Sequence, residues 1–302
     1  MNIYCIIVTY NGMKWIGGCL GSLRASDHSL KVIVIDNLST DGTFDYIKQN
    51  FPEVELINAK ANLGFGKANN IGLKIAIAQN ADYVFLLNQD TRIEKDTITE
   101  LLNVAEANKE YGILSPFHLS PANTTLERQF AEFLSYQYTD MLVSDIFFNQ
   151  LKQVYPTSYI HAASWFMSIS CVKKTGGFDP LFSHYGEDDD YMQRAKYFGF
   201  KLGLVPKALI VHDATYKTWE MIEWDENRNL IVAYLQLKKM GPRFRSSLLV
   251  YLKTTFDEFT TLLLFRKFKK LRFRIKVFFK VVKNMKTIRQ SLCESYTEQA
   301  FL

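Results

Sequence analysis

The chain has 302 residues, 48% of them hydrophobic, which is enough to bury a full core and too apolar for a disordered polymer. Its net charge of +5 is unevenly placed: residues 1–237 hold 20 Lys and Arg against 27 Asp and Glu, a net −7, whereas residues 238–290 hold 16 against 2, a net +14. The cysteines, Cys5, Cys19, Cys171 and Cys293, lack any short paired spacing, which argues against a zinc or disulfide framework and suits a reducing, cytoplasmic setting.

Ile3 to Thr9 is rich in β-branched and aromatic residues and reads as a first strand, entered directly without a signal-peptide layout. Tyr10-Asn11-Gly12 then turns the chain into a helix over 13–24. Lys31 to Asp36 is a second strand, followed by a polar loop and a helix to Asn50, and Val54 to Asn58 is a short third. The loop Asn62-Leu-Gly-Phe-Gly66 leads into a helix to about Gln79. Tyr83 to Asn88, a short apolar run between helical patterns, reads as the central buried strand. This alternation of strand and helix predicts a doubly wound, mainly parallel α/β sheet flanked by helices.

In such sheets ligands sit beyond the carboxyl ends of the strands, so Asn88-Gln89-Asp90 is a candidate site. Asp90 can also be read as the cap of a helix over Glu94–Lys109. Tyr111 to Phe117 and Ala162 to Ser170 read as further strands, separated by a variable insertion over 120–160 with weak periodicity. Glu187-Asp-Asp-Asp190 opens a helix to about Phe198. Acids there complement the helix dipole, but four adjacent like charges repel, and a nearby cation would relieve them. Leu202 to Pro206 and Ala208 to Val211 close the sheet, ending at His212, which alone reads as an ordinary hydrogen-bonded surface residue.

From Trp219 onward the pattern is helical, with Trp219, Ile222, Leu230 and Leu235 as expected core contacts and a break at Gly241-Pro242. Phe244 to Phe265 and Arg266 to Arg289 follow, the second interleaving apolar residues with Lys and Arg. No stretch approaches the roughly 18 apolar residues of a membrane span. A basic amphipathic segment over 243–290 instead suits an anionic membrane surface or a second subunit, and removing Arg266 to Arg289 is expected to release the protein from membranes without unfolding the body. Nucleic acid fits less well, because the body is acidic and carries no nucleic-acid motif. A nicotinamide dehydrogenase is also disfavoured, since strand one ends in Tyr-Asn-Gly and not in a glycine fingerprint.

Ile7-Val-Thr-Tyr-Asn11, Asp36 to Gly42, Asn62 to Gly66 with Ala68 to Gly72, Leu87 to Asp90, Gly176-Gly-Phe-Asp179, Glu187-Asp188 and Pro206 to His212 together resemble the family 2 glycosyltransferases of GT-A fold, and within them the rhamnosyltransferase branch. The likeness spans about residues 1–215, leaving 216–302 as a helical C-terminal extension. It implies that Thr9, Tyr10 and Asn11 line a base and ribose pocket and that Asp36 accepts a hydrogen bond from the N3-H of uracil or thymine. It further implies that Asn62, Gly64, Gly66, Asn70, Asn88, Gln89 and Asp90 surround a nucleoside-diphosphate sugar. Asp90 and His212 would hold Mg2+ or Mn2+, Asp188 would be the general base, and Glu187 and Asp190 are further acidic candidates.

The expected activity is inverting transfer from a donor such as dTDP-L-rhamnose to a saccharide or lipid-linked acceptor in bacterial surface polysaccharide synthesis, on the inner face of the plasma membrane. A non-catalytic sugar-nucleotide scaffold is the alternative. The usual Asp-X-Asp is here Asn88-Gln89-Asp90, an amide in place of the first carboxylate, which lowers but does not remove affinity for a hard cation.

Overall fold

The computed structural model describes residues 1–183, 185–214 and 224–302, so the expected core contacts Trp219 and Ile222 lie outside the described residues. The first half alternates β1 (Ile3–Thr9), α1 (Ile16–Arg24), β2 (Lys31–Asp36), α2 (Thr43–Asn50), β3 (Glu55–Asn58), α3 (Gly64–Ala78) and β4 (Tyr83–Asn88). These strands pair in parallel in the order β3-β2-β1-β4. Side chains alternate across a strand, so Tyr4 and Ile6 of β1 enter the core under α3, while Ile3, Cys5 and Ile7 enter the opposite core under α1. Each such residue, fully buried, stabilises the fold by about 1.5–3 kcal/mol.

Beyond β4 the sheet changes direction. The chain continues through β5 (Thr91–Ile93), α4 (Thr97–Ala107) and β6 (Tyr111–Leu119), then the insertion with α5 (Arg128–Glu132), α6 (Leu142–Phe147) and β7 (Tyr155–Thr157). It returns as β8 (Ser164–Ser168), α7 (Ile169–Thr175), α8 (Glu187–Tyr197) and β9 (Lys201–His212). β8 inserts antiparallel between β4 and β6, and β9 runs parallel to β6. The two closing strands expected over 202–211 are one, with a register shift at Pro116/Phe117 where β9 bulges past its neighbour. β5 was not anticipated. Three residues are too few to show a pattern, and they pair antiparallel with the end of β9, Thr91 opposite His212.

The C-terminal helices α9 (Glu226–Leu237), α10 (Phe244–Leu264) and α11 (Phe268–Glu294) share their own core of Ala233, Leu237, Tyr251, Val277, Val281 and Ile288, with Leu230 and Leu235 packed against it as expected. That core reaches the body through Phe182. It also reaches it through charge. Lys238, at the end of α9 and fully buried, pairs with Asp190 of α8 at 2.8 Å and with Asp179, which also accepts from Ser291 of α11. Arg194 pairs with Asp190 at 2.8 Å and donates to the carbonyls of Thr175 and Gly177. Asn70 on α3 also donates to the carbonyl of Phe301 at 3.1 Å. The extension is therefore not a detachable appendage: removing α11 takes Ser291 from Asp179 and strips the shared core.

Removing one partner of a buried ion pair leaves its counterpart charged and unsolvated, at a cost of about 3–5 kcal/mol. Lys238→Met, which keeps the volume, should lower the unfolding free energy by about that amount in urea titration; an unchanged midpoint would show that Asp179 and Asp190 are stabilised without the lysine.

Candidate active site

The carboxyl ends of β1 and β2 form one wall. Thr9, buried at the end of β1, donates to Gln89 Oε1 at 2.6 Å, and the same oxygen accepts from the Tyr10 amide at 3.1 Å. Gln89 Nε2 donates back to the Tyr10 carbonyl at 3.2 Å, so this side chain clamps the turn after β1 against the end of β4. Asn11 takes a left-handed conformation (φ 48°), and its Oδ1 accepts from the Thr40 amide at 2.9 Å, fixing the β1 and β2 loops to each other. Tyr10 leaves its ring 47% exposed. Asp36 is buried at the end of β2; Oδ2 accepts from the Ser39 amide at 2.9 Å, while Oδ1 has no partner. A buried acceptor without a donor costs roughly 1–3 kcal/mol. An N–H of a ligand would remove that cost.

The second wall differs from expectation in its details. Asn62 Oδ1 accepts from the Gly64 amide at 3.0 Å, turning the chain into α3. A side chain at Gly64 would meet the Ser183 carbonyl at 2.5 Å and one at Gly66 the Phe178 side chain at 2.9 Å, so both glycines serve the close approach of α3 to the 177–187 segment. Asn70 was expected near the donor. Its amide instead donates to the Phe178 carbonyl at 2.8 Å and accepts from the Phe178 amide at 2.7 Å, which makes it the pin that shapes the Gly176-Gly177-Phe178 turn.

Asp90 and His212 do meet. The pairing of Thr91 with His212, together with the Asp213 amide donating to the Asp90 carbonyl at 3.0 Å, brings Asp90 Oδ1 to 3.6 Å from His212 Nε2. Among the described residues that oxygen has no hydrogen-bond partner, nor has His212 Nδ1. Asp90 is not a helix cap: α4 starts at Thr97, after Asp96. Asn88 is half-buried beside them, its carbonyl accepting from Thr91 Oγ1 at 2.6 Å.

Two further histidines surround His212. His118, near the end of β6, is fully buried with its ring centroid 5.8 Å from that of His212, and His161, just before β8, is 6.4 Å from His118. β8 runs antiparallel, so its start, and hence His161, arrives at the carboxyl end of β4. Burial lowers the pKa of both; the neighbouring imidazoles add to this for His118, while the field of Asp188 partly restores His161. The charge of Asp188 and the ring of His161 act on each other's protonation. Neither histidine was singled out from sequence. The available signal was that β6 and β9, both ending in the site, each carry a histidine near that end.

The acids of α8 divide by environment. Asp190 faces inward to Arg194 and Lys238, and although burial opposes ionisation these cations bring its pKa below the usual value. It is a structural anion, not a catalytic candidate. Burial raises Glu187 to about 8 and Asp189 to about 7, with the Asp188 charge adding to both, and Glu187 Oε2 has no partner. Asp188, half-buried, is also raised by desolvation, against a hydrogen bond from the Asp189 amide and the nearby His161. Gly186 precedes them in a left-handed conformation (φ 85°), and a side chain there would strike Ile231 of α9 at 2.4 Å.

A parallel half-sheet ending in an unpartnered buried Asp, joined to a mixed half ending in Asp90, His212 and the α8 acids, is the layout of a GT-A glycosyltransferase. The chain matches the family described as glycosyl transferase family 2 over residues 4–172 and belongs to that family. It is 27% identical over 234 residues, 70% of this chain and 76% of the relative, to the N-acetylglucosaminyl-diphospho-decaprenol L-rhamnosyltransferase of Mycobacterium tuberculosis. It is 33% identical over 101 residues, 33% of each chain, to a dTDP-rhamnosyl transferase of Shigella flexneri. In fold it resembles a mannosyltransferase from Pyrobaculum calidifontis solved with GDP-Man and Mn2+, at a TM-score of 0.58 and 17% identity, covering 93% of this chain and 75% of that one.

The raised acids make stability depend on pH. The native state keeps protons on Glu187 and Asp189 that the unfolded chain, with ordinary carboxyl values, releases, so the contribution of these two groups to stability is fullest below about pH 4 and is lost as pH rises toward about 8. The melting temperature should therefore drop between about pH 5 and pH 8, and Glu187→Gln should flatten much of that drop; a parallel slope in the variant would remove Glu187 as its source.

Proposed function

We propose that the protein is an inverting glycosyltransferase that moves L-rhamnose from dTDP-L-rhamnose to a hydroxyl of a saccharide or lipid-linked acceptor in surface polysaccharide synthesis. The observation that carries this reading is the pair of buried carboxylate oxygens without a partner among the described residues, Asp36 Oδ1 and Asp90 Oδ1, at the carboxyl ends of β2 and β4, which flank β1. The first suits the N3-H of thymine or uracil, a ring N–H that adenine lacks and that guanine offers only from its larger bicyclic ring. The second, beside His212 Nε2, suits a hard divalent cation, and the rhamnosyltransferase names of the relatives support the sugar.

Asp36 orients the base and the exposed ring of Tyr10 offers it an apolar face. Asp90 and His212 would hold Mg2+ or Mn2+, which when bound offsets the negative charge that develops on the departing diphosphate. Asp188 accepts the proton of the acceptor hydroxyl as its oxygen bonds to the anomeric carbon and the carbon–phosphate oxygen bond breaks. One displacement inverts that carbon. General base assistance of this kind contributes about 10²- to 10⁴-fold, and a carboxylate whose pKa is raised is better matched to the task near neutrality.

The lipid-linked acceptor gives the C-terminal helices a role at a membrane surface. No described helix is long and apolar enough to cross a membrane. The tip joining α10 to α11, however, exposes Leu263, Leu264, Phe265 and Phe268, with Leu264 at 80% and Phe265 at 72%, among Arg266, Lys267, Lys269 and Arg272. α11 does not lie on the membrane along its length, since Val277, Val281, Ile288 and Leu292 are buried against the protein. Apolar residues at the tip, ringed by cations, suit insertion into an anionic bilayer surface.

Asp188→Asn should lower transfer by about 10²-fold or more while leaving nucleotide affinity nearly unchanged, read by product formation and calorimetry; retained turnover would reject the base. Among uridine, thymidine and guanosine diphosphate sugars, dTDP-rhamnose with Mn2+ should raise the melting temperature most, and preference for a guanosine donor would overturn the Asp36 assignment. Replacing Leu264, Phe265 and Phe268 with Ser should cut sedimentation with phosphatidylglycerol vesicles by about tenfold or more without changing soluble-acceptor activity; equal sedimentation would remove the tip as the contact.

A further inference from the structure

His118, Glu127 and His212 form a cluster apart from the Asp90 carboxylate. One nitrogen of each imidazole and one carboxylate oxygen of Glu127 lie within 4.8 Å of one another, and the three residues are 0%, 1% and 7% exposed. The residues come from three elements: the end of β6, the residue preceding α5, and the end of β9. Both imidazoles have a buried Nδ1 without a hydrogen-bond partner. Buried ring nitrogens without a partner among the described residues are a cost that a bound ion would remove.

The remaining atoms of these residues are already directed. His118 Nε2 lies 3.1 Å from Ser164 Oγ and 3.4 Å from Ser115 Oγ; donation from Nε2–H leaves the Nδ1 lone pair available. This is the arrangement of a metal-bound histidine, whose second nitrogen is held by a neighbouring polar group. His212 differs: its Nε2 lies 3.6 Å from Asp90 Oδ1, too far for a hydrogen bond, so no such partner fixes its ring. Glu127 accepts from the Gln129 and Phe130 amides at 2.9 and 2.8 Å, one through each oxygen, which fixes the orientation of the carboxylate.

We propose that His118, Glu127 and His212 are a second metal site, for an ion of the Zn2+ class, that fastens the start of the 120–160 insertion to the ends of β6 and β9. Two imidazoles and one carboxylate are a borderline-soft set that suits Zn2+ and disfavours Mg2+, which takes oxygen ligands and keeps its waters. Three protein ligands leave a fourth position to water or a substrate hydroxyl. The site shares His212 with the cation assigned to the donor diphosphate; a neutral imidazole has one lone pair, so His212 serves one ion at a time, and the site does not depend on that assignment.

The test is a Co2+ titration of the full chain without nucleotide, followed by visible absorption, with Zn2+ and Mg2+ as competitors. Wild type should show the intense bands of four-coordinate Co2+ at one equivalent, displaced by Zn2+ and not by excess Mg2+. His118→Asn and Glu127→Gln should each weaken Co2+ binding by about tenfold or more, whereas Asp90→Asn should retain the bands. Should His118→Asn fail to fold, Ser164→Ala, which keeps every ligand and removes a partner of Nε2, should weaken Co2+ by about tenfold. Absence of the bands in wild type overturns the site, as does Co2+ affinity unchanged in Glu127→Gln and Ser164→Ala. Bands lost in Asp90→Asn but kept in His118→Asn would assign the ion to the donor side and overturn the second site, leaving the transferase reading intact.

Discussion

The arrangement depends on four charges with almost no water around them: Asp179, Asp190, Arg194 and Lys238. Each would be expensive to bury alone, and together they are neutral and extensively hydrogen-bonded, which makes the burial tolerable. Geometry follows from this. Asp190 is drawn inward from the first turn of α8, so the turn can approach the sheet in one rotation about the helix axis. Glu187, Asp188 and Asp189 are then set around the cleft wall. The four-acid run, hard to explain as a helix cap, is one anion paired with buried cations and three acids that make no close ion pair among the described residues, Asp189 feeling Arg228 and Lys196 only at a distance.

The same network explains why the two chemical halves of the cleft are registered. The parallel half-sheet carries Thr9, Tyr10 and Asp36 on consecutive strand ends, a local consequence of βαβ winding. The other half is assembled from reversals. β5 folds back on β9 to set Asp90 beside His212, and β8 enters antiparallel to deliver His161. α8 is fixed against both by Asn70, which holds the turn at Phe178, and by Arg194, which holds the carbonyls of Thr175 and Gly177.

These two modes of assembly decide what could be read from the sequence. β1, β2 and β4 were legible because a strand buried on both faces must be continuously apolar, and Asp36, Asp90 and His212 because each follows such a run. β5 was not legible, being three residues whose strand character comes from β9. Nor were His118, His161 and Glu127, which acquire meaning only from which strands run antiparallel and where the insertion returns. Asn70 was misplaced for a related reason: a helical asparagine near a glycine-rich loop reads as facing a ligand until the chain about a hundred residues later is known to pass over it. The basic stripe of α11 likewise concealed that its apolar residues are largely claimed by α9 and α10.

That last point bears on how the C-terminal helices relate to catalysis. Lys238 caps α9 and neutralises Asp190; Ile231 on α9 lies where any side chain at Gly186 would go; Ser291 of α11 donates to Asp179. The helices that expose the apolar, cationic tip therefore also form the backing of the turn that carries Asp188. A tip held at a bilayer surface fixes the orientation of that turn relative to the lipid plane, because buried ion pairs and a shared core leave no soft linker between α9 and α8. Were the acceptor lipid-linked, as proposed, such rigidity would be useful: its hydroxyl would emerge at a height set by the lipid, and the proposed base Asp188 would have to meet it within about 3 Å.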